Sequence, residues 1–350
     1  MSPANRRARA AFAVLGAAAA LSVSIVLSIA SGALSISTRA TLAAIAKGVT
    51  GSADLLQGDE AIVWNLRLPR VLMAALVGAS LGASGAAMQG LFRNPLADPY
   101  LLGVASGASF GVAVAVTLGG RLAQPFAEVL FAPGALGPAV PMFAFAGAIG
   151  AVLVTMMLAR STRRSGSTSL LLSGIVVGAV LVSLTTYLML RDADRLRAVF
   201  SWTVGNLASA SWSDLAGAAP YAAAGAALLY AFARGLDALQ LGEDTARTLG
   251  VSTRAVKIGV VVGASLATAS SVAFVGIIGF VGLVAPHVMR RIGTPRHRAL
   301  LPAAAFAGAT LLVLADLGAR TLVRPAELPV GVVTTLVGGP FFLWQLRRDA

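Results

Sequence analysis

Long apolar runs, separated by clusters of charged residues, dominate the pattern of the chain. Ten such runs lie at about 10–33, 62–90, 99–119, 139–159, 168–190, 213–233, 257–275, 276–290, 299–319 and 329–346. A helix needs roughly 20 residues to cross the hydrocarbon layer of a bilayer, and most of the runs reach or approach that length. The pattern therefore predicts an all-α integral membrane protein with about ten transmembrane helices, forming a single transmembrane domain over residues 1–350.

Composition and charge agree with a membrane protein. Of 350 residues, 57% are hydrophobic and 12% are charged, whereas soluble domains carry roughly 25% charged residues. The net charge of +13 needs no nucleic acid to explain it, because Lys and Arg accumulate in cytoplasmic loops of membrane proteins. Placing both termini in the cytoplasm puts most of the 27 Lys and Arg inside. With no Cys and two His, the chain has too few ligands for a typical metal site, and we expect no resident cofactor.

The apolar runs are poor in ionisable side chains, which bears on the source of energy. Ion-coupled carriers keep such groups in mid-membrane, but the one interior candidate is Asp316, and Arg320 one turn later favours a structural ion pair. Neither Lys47 nor Lys257 follows a glycine, so no phosphate-binding loop is present, and motifs for hydrolytic chemistry are also missing. We expect a transporter driven by another subunit rather than an enzyme; an ion-coupled secondary transporter is the alternative, and a membrane-embedded enzyme is a more distant one.

Several local patterns predict breaks and close contacts. Two prolines with Asn94 and Asp98 predict a rigid turn over residues 93–99. Three glycines and a proline in 276–286 predict a short or bent helix next to a cavity. Glycines spaced four apart, such as Gly78 and Gly82, predict close helix packing and no site.

The polar segment at residues 239–252 differs from the other loops. Acidic residues near its start and Gly250 near its end predict one short helix, with Ala246, Leu249 and Val251 on its apolar side. From the residues alone, a solvated loop helix and a helix that docks into a cytoplasmic partner remain open.

Five motifs carry a resemblance to a known family. They are RLPR at 67–70, GASLGASGAAMQGLFRNPLADPYLLGVASG at 78–107, LGEDTARTLGV at 241–251, GFVGLVAPHVMRRIG at 279–293 and ELPVGVVTTLVGGPFF at 327–342. With these motifs the chain resembles, over about residues 62–350, the FecCD-type permeases of binding-protein-dependent ABC importers for iron–siderophore, haem and vitamin B12.

The resemblance implies a fold, partners and a location. It implies the ABC importer type II permease fold in the bacterial cytoplasmic (inner) membrane, and a homodimer that works with two ATPase subunits and a periplasmic or lipid-anchored substrate-binding protein. It makes a ferric siderophore the expected cargo, with haem or cobalamin as alternatives. It also makes 239–252 the ATPase-coupling segment, through Leu241, Gly242, Glu243, Asp244, Ala246, Arg247, Leu249 and Gly250.

Two further sets of site residues follow from the resemblance. Arg67, Arg70 and Arg320 match outward arginines that dock the binding protein, although snorkelling to lipid phosphates is an alternative for the first two. A wide path for bulky cargo suits uncharged hydroxyls, so we predict a lining of Ser80, Ser84, Ser173, Ser183, Thr185 and Thr186. The alternative is that these hydroxyls bond to carbonyls of their own helices.

Overall fold

A computed structural model of the chain describes residues 3–31, 36–51, 53–118, 139–161, 167–190, 193–294, 296–323 and 325–349. These residues form the helices α1 (Pro3–Ala30), α2 (Thr38–Val49), α3 (Asp59–Phe92), α4 (Val104–Leu118), α5 (Ala139–Ser161), α6 (Ser167–Met189), α7 (Ala193–Thr203), α8 (Trp212–Ala231), α9 (Ala233–Gln240), α10 (Glu243–Thr248), α11 (Thr253–Val275), α12 (Val281–Ile292), α13 (His297–Thr321) and α14 (Val330–Asp349). No β-strand occurs among the described residues, which confirms the all-α prediction.

Each of the ten predicted apolar runs coincides with one of these helices. Within the described ranges, six helices are long and apolar enough to cross a membrane alone, and α8 with α9, bent by 47°, would make a seventh span. Val104–Thr117 of α4 and Val330–Gln345 of α14 are shorter apolar helices, and α12 has 12 residues. The glycine-rich break that precedes α12 explains why this helix is shorter than a regular span.

One compact unit comprises Met1–Ala86, Asn206–Pro220 and Ile278–Ala350. Within it, α3 packs backbone to backbone on α12 and α13. A Cβ at Gly78 would collide with the backbone of Gly308, and one at Gly85 would collide with Gly282. The close packing predicted from the glycine spacing is therefore confirmed here.

A second compact unit comprises Ala87–Gly205 and Tyr221–Ile277. The helices α4 and α5 pack closely because glycine faces glycine: a Cβ at Gly107 would collide with Gly147. The buried hydroxyl of Thr155 donates to the carbonyl of Leu102 at 3.1 Å, which fixes α5 to the turn that precedes α4.

The predicted turn at residues 93–99 is present. Arg93 has a φ of 50°, the amide of Leu96 donates to Asn94 Oδ1 at 2.9 Å, and the amide of Tyr100 donates to Asp98 Oδ1 at 2.8 Å. Asp98 thereby caps a short 3₁₀ helix, Pro99–Leu102. The two side-chain caps hold the chain in one conformation between α3 and α4.

The predicted irregular segment near residue 280 is also present. The chain is not helical from Gly276 to Gly279, and α12 begins only after Phe280, whose φ is 67°. Gly276 has a φ of 76° and lies so close to the carbonyl of Trp202 that no side chain would fit. The short helix expected after this break is confirmed.

Candidate coupling and transport sites

The polar segment at residues 239–252 contains the short helix predicted there, α10, whose first turn carries Glu243 and Asp244. The helix α9 ends at Gln240 and α10 begins at Glu243, with Gly242 between them at a φ of 106°. This left-handed backbone favours glycine and cannot continue a helix. The predicted short helix is therefore confirmed, and Gly242 separates it from α9.

The apolar residues of this segment point in different directions. Ala246 is fully buried, whereas Leu241 is 64% exposed and Leu249 is 61% exposed. Grouping Leu249 with Ala246 on one face was therefore wrong, because Leu249 is the residue that ends α10 and no longer follows its helical periodicity. The Gly250 exit, with a φ of 77°, agrees with the prediction.

Polar contacts fix the segment to its own unit. Lys257 Nζ of α11 lies 2.6 Å from Glu243 Oε1, and Gln240 Nε2 donates to the carbonyl of Gly90 at 2.7 Å. Arg247 pairs with the exposed Asp244 at 3.1 Å. The result is a braced protrusion whose apolar tips, Leu241 and Leu249, have no cover in the described part of the chain.

The first unit contains a cluster of charged residues, which we call the arginine cluster: Arg67, Arg70, Asp316, Arg320 and Glu327. Asp316 is 1% exposed. Arg70 donates to its Oδ1 through Nε at 3.0 Å and through Nη2 at 2.9 Å, and Arg320 Nε lies 3.1 Å from its Oδ2. The predicted ion pair between Asp316 and Arg320 is confirmed, and Arg70 joins it.

The same cluster is joined to the end of α1. Arg320 Nη2 donates to Ser28 Oγ at 2.6 Å and to its carbonyl at 3.1 Å, and Arg67 Nη1 donates to the carbonyl of Ile29 at 2.8 Å. All three arginines predicted to dock a partner are buried, with relative exposures of 6% for Arg67, 9% for Arg70 and 7% for Arg320. Each of the three arginines thus has polar partners within the chain, and a docking role concerns only the atoms that remain accessible.

Glu327, which sequence reasoning missed, occupies the most accessible edge of the cluster. Its Oε2 lies 2.9 Å from Arg70 Nη1, and its side chain is 45% exposed. Arg70 therefore binds the buried carboxylate of Asp316 through two of its nitrogens and the exposed carboxylate of Glu327 through the third. The sequence did signal this residue, because it opens the ELPVG motif, but the motif assigns it no role.

A cavity of about 690 Å³ lies within the second unit. It is bounded by α4, α6, the end of α7 and the turn that Asp98 caps, and Ile277 of the irregular segment also lines it, as expected for a break next to a cavity. Thr185 and Thr186 line it, while Ser173 and Ser183 do not. The structure thus brings only two of the six predicted path residues to one cavity.

Most of the predicted path residues are buried by packing or bond within their own helix. Ser80 and Ser84 are buried in the closely packed part of α3. Along α6, Ser183 donates to the carbonyl of Ala179 at 3.0 Å, and Thr185 and Thr186 donate to carbonyls one turn earlier at 2.8 and 2.9 Å. The alternative, that hydroxyls of the spans bond within their own helix, is confirmed for these three.

Asp98 lines the same cavity and is the one carboxylic acid among its lining residues. Burial raises the pKa of Asp98 to about 6, although the hydrogen bond from the Tyr100 amide acts in the opposite direction. Sequence reasoning treated Asp98 as a turn cap only. Its position between two prolines gave no sign that the cap also borders a cavity.

Residues 20–348 match the FecCD transport family. The chain belongs to this family. It is 41% identical over 288 residues to the cobalamin import system permease of Halobacterium salinarum, covering 82% of this chain and 74% of that one. It is also 41% identical over 297 residues to the hemin transport system permease of Yersinia pestis, covering 82% and 84%.

A solved structure has the same fold as this FecCD chain. It is described as an inward-facing conformation of a metal-chelate type ABC transporter, with a TM-score of 0.80, 27% identity, and coverage of 96% of this chain and 98% of the other. The chain is therefore a multi-pass membrane permease of the ABC importer class. Its relatives are transport permeases, so an ion-coupled secondary transporter is not favoured.

Proposed function

We propose that this FecCD permease moves a metal chelate across the cytoplasmic membrane as a homodimer, driven by two separate ATPase subunits and supplied by a periplasmic or lipid-anchored binding protein. Its resemblance to cobalamin and hemin permeases and to a metal-chelate transporter supports a bulky chelate. Because the cobalamin and hemin relatives are equally similar, they do not distinguish cargoes. We take a ferric siderophore as the cargo to test first, with haem and cobalamin beside it.

The observation that carries this proposal is the exposed pair Leu241 and Leu249 on the braced protrusion. Two leucines exposed by more than half at the tips of a charged, cytoplasmic segment are suited to insertion into an apolar cleft of a partner. Lys257 and Gln240 hold the protrusion to α11 and α3. Movement of an ATPase would therefore be transmitted to the spans instead of being absorbed by a flexible loop.

The arginine cluster is the proposed docking place for the binding protein. Arg70 Nη1 already holds an exposed carboxylate, that of Glu327, so it has the geometry to hold an acidic residue of a partner instead. Docking would then exchange one carboxylate for another, while the buried Asp316 keeps the guanidinium in position. Exchange at an exposed edge affects association rate and salt dependence more than final affinity.

The path is proposed to run along the face of α6 that borders the 690 Å³ cavity. The lining is mainly apolar, and Thr185 and Thr186 already bond to their own helix carbonyls, so neither offers cargo a strong polar hold. Weak contact suits a path that must release a rigid chelate. Both termini are proposed to lie in the cytoplasm, which follows from the excess of Lys and Arg on that side.

Reconstitution tests the function directly. The permease and the ATPase would be reconstituted into proteoliposomes, and the binding protein would be added to them. Uptake of a radiolabelled ferric siderophore, haem or cobalamin into the vesicles would then be measured. We expect uptake of one chelate only with ATP, the ATPase and the binding protein together. Uptake driven by a proton or sodium gradient in liposomes without the ATPase would overturn the proposal.

Capture of the binding protein tests the docking place separately. Glu327→Gln removes the competing carboxylate from Arg70, so we expect faster capture by immobilised permease, most clearly at low salt. Arg67→Gln removes a positive charge and is expected to slow capture. Slower or unchanged capture by the Glu327→Gln variant would contradict the carboxylate exchange.

A further inference from the structure

A groove of about 400 Å³ lies between α1 and α12 in the first unit. Arg9, Phe12, Gly16 and Ala20 line it from α1, and Met289 and Ile292 line it from α12. Its volume falls within the range of ligand pockets, roughly 300–1,000 Å³. None of the candidate site residues discussed above lines this groove.

The groove is apolar along its length and cationic at one end. Phe12 is 75% exposed and Ile292 is 53% exposed, and a Cβ at Gly16 would meet open space. Arg9 is exposed and lies beside Gly293, the residue that ends α12. The groove therefore has a hydrocarbon-lined body with a guanidinium at its mouth.

The α1 wall of the groove matches one leaflet in length. Arg9 is the second residue of the membrane span Ala8–Ala30, and Ala20 follows it by three helical turns. At 1.5 Å per residue, this stretch rises about 16 Å, which is close to half of the roughly 30 Å hydrocarbon core. An acyl chain lying in the groove would thus end near the bilayer midplane, with its headgroup at the level of Arg9.

Charge at the mouth favours an anionic headgroup. Neither α1 nor α12 contains an acidic residue, and Arg290 and Arg291 occupy the last turn of α12. The sequence from 276 to 315 also contains no Asp or Glu. Basic pockets between helices on the cytoplasmic side are suited to anionic lipids.

We propose that the groove between α1 and α12 is a binding site for one anionic phospholipid, which holds its acyl chain between Phe12 and Ile292 and its phosphate at Arg9. This site is separate from the coupling protrusion and the arginine cluster. It stabilises the association of α1 with the remainder of its unit. The proposal does not depend on which chelate is carried.

Native mass spectrometry of the purified permease tests the site, with phosphatidylglycerol and phosphatidylcholine of identical acyl chains as probes. We expect the wild-type chain to retain phosphatidylglycerol preferentially. Arg9→Gln should reduce that preference by about fivefold, which is the effect of one basic residue near an anionic surface. Arg160→Gln, which changes an exposed arginine at the end of α5, is the matched control and should leave the preference unchanged.

A second variant tests the apolar body of the groove. Gly16→Leu places a side chain where a Cβ meets open space and should lower retention of both lipids, whereas Gly150→Leu, at another glycine with open space in α5, should not. Thermal unfolding of each variant checks that it remains folded. The proposal would be overturned if wild type retained the two lipids equally or if soluble glycerol phosphate displaced the lipid. It would also be overturned if Gly16→Leu retained the lipid fully, whether or not its dimer fraction changed.

Discussion

Arg70 and Asp316, 246 positions apart in the chain, form a pair in which two guanidinium nitrogens reach the same carboxylate oxygen. The pair joins α3 to α13, and through Arg320 it also joins both to the end of α1. The buried carboxylate of Asp316 thus lies against the positive charges of two arginines. The remaining nitrogen of Arg70 is left for the exposed Glu327.

This arrangement predicts unequal roles for the two acids in stability. Asp316→Asn would remove the one carboxylate that pairs with Arg320 and leave Arg70 with only the partly exposed Glu327, and we expect it to lower the free energy of unfolding by about 3–5 kcal/mol. Glu327→Gln, at a partly exposed partner of the same arginine, should cost at most about 1 kcal/mol. Denaturant unfolding of both variants in the same detergent measures the difference, and equal losses would contradict the buried role of Asp316.

Because the tips of the protrusion, Leu241 and Leu249, are exposed, we expect a substitution there to weaken partner binding without unfolding the chain. Leu249→Asp should reduce co-purification of the ATPase at least tenfold. Its effect on the free energy of unfolding should stay within about 0.5 kcal/mol, because the side chain is on the surface. Leu196→Asp, at an exposed leucine of α7, is the control and should leave co-purification unchanged. ATPase retained by the Leu249→Asp variant would remove the coupling role from that residue.

Glycines at helix contacts predict a position-dependent response to one added methyl group. At Gly85 the Cβ would collide with the backbone of Gly282, so we expect Gly85→Ala to destabilise the chain by about 1–3 kcal/mol. At Gly150 the Cβ meets open space, and alanine favours a helix over glycine by about 1 kcal/mol. Thermal unfolding should therefore show a lower Tm for Gly85→Ala and an equal or higher one for Gly150→Ala. A higher Tm for Gly85→Ala than for Gly150→Ala would show that α3 and α12 do not pack closely.

The raised pKa of Asp98 predicts a pH dependence of stability. In the folded chain the pKa of Asp98 is about 6, whereas the pKa of an Asp in an unfolded chain is about 3.9. The folded state then binds more protons between these values, so its contribution to the free energy of unfolding falls as the pH rises from about 4 to about 6. Asp98→Asn keeps an oxygen acceptor for the Tyr100 amide and removes the titration.

Thermal unfolding at pH 5 and pH 7 checks this prediction. The Tm of the Asp98→Asn variant relative to wild type should be higher at pH 7 than at pH 5. A constant difference between the two Tm values would mean that Asp98 does not titrate in this range.

Sequence alone was sufficient where the physics is local. A bilayer core offers no hydrogen-bond partners to the backbone, so long apolar runs must be helical, and the ten runs do coincide with helices. Glycine and proline fix backbone dihedrals at their own positions, which is why the turn at 93–99 and the break before α12 were predictable. The motif LGEDTARTLGV located the protrusion, although not the break at Gly242.

Only the tertiary structure decided which distant groups meet. Nothing near Arg70 in the sequence indicates that its partner is Asp316, and nothing near Leu249 indicates that it is exposed while Ala246 is buried. The same holds for Asp98 at the cavity and for Arg9 at the groove. These relations depend on how helices pack against each other, and side-chain pairing across helices has no period along the chain. The sequence by itself therefore determined the helices, their breaks and the family, while packing alone determined the charge pairs, the cavity and the exposed tips.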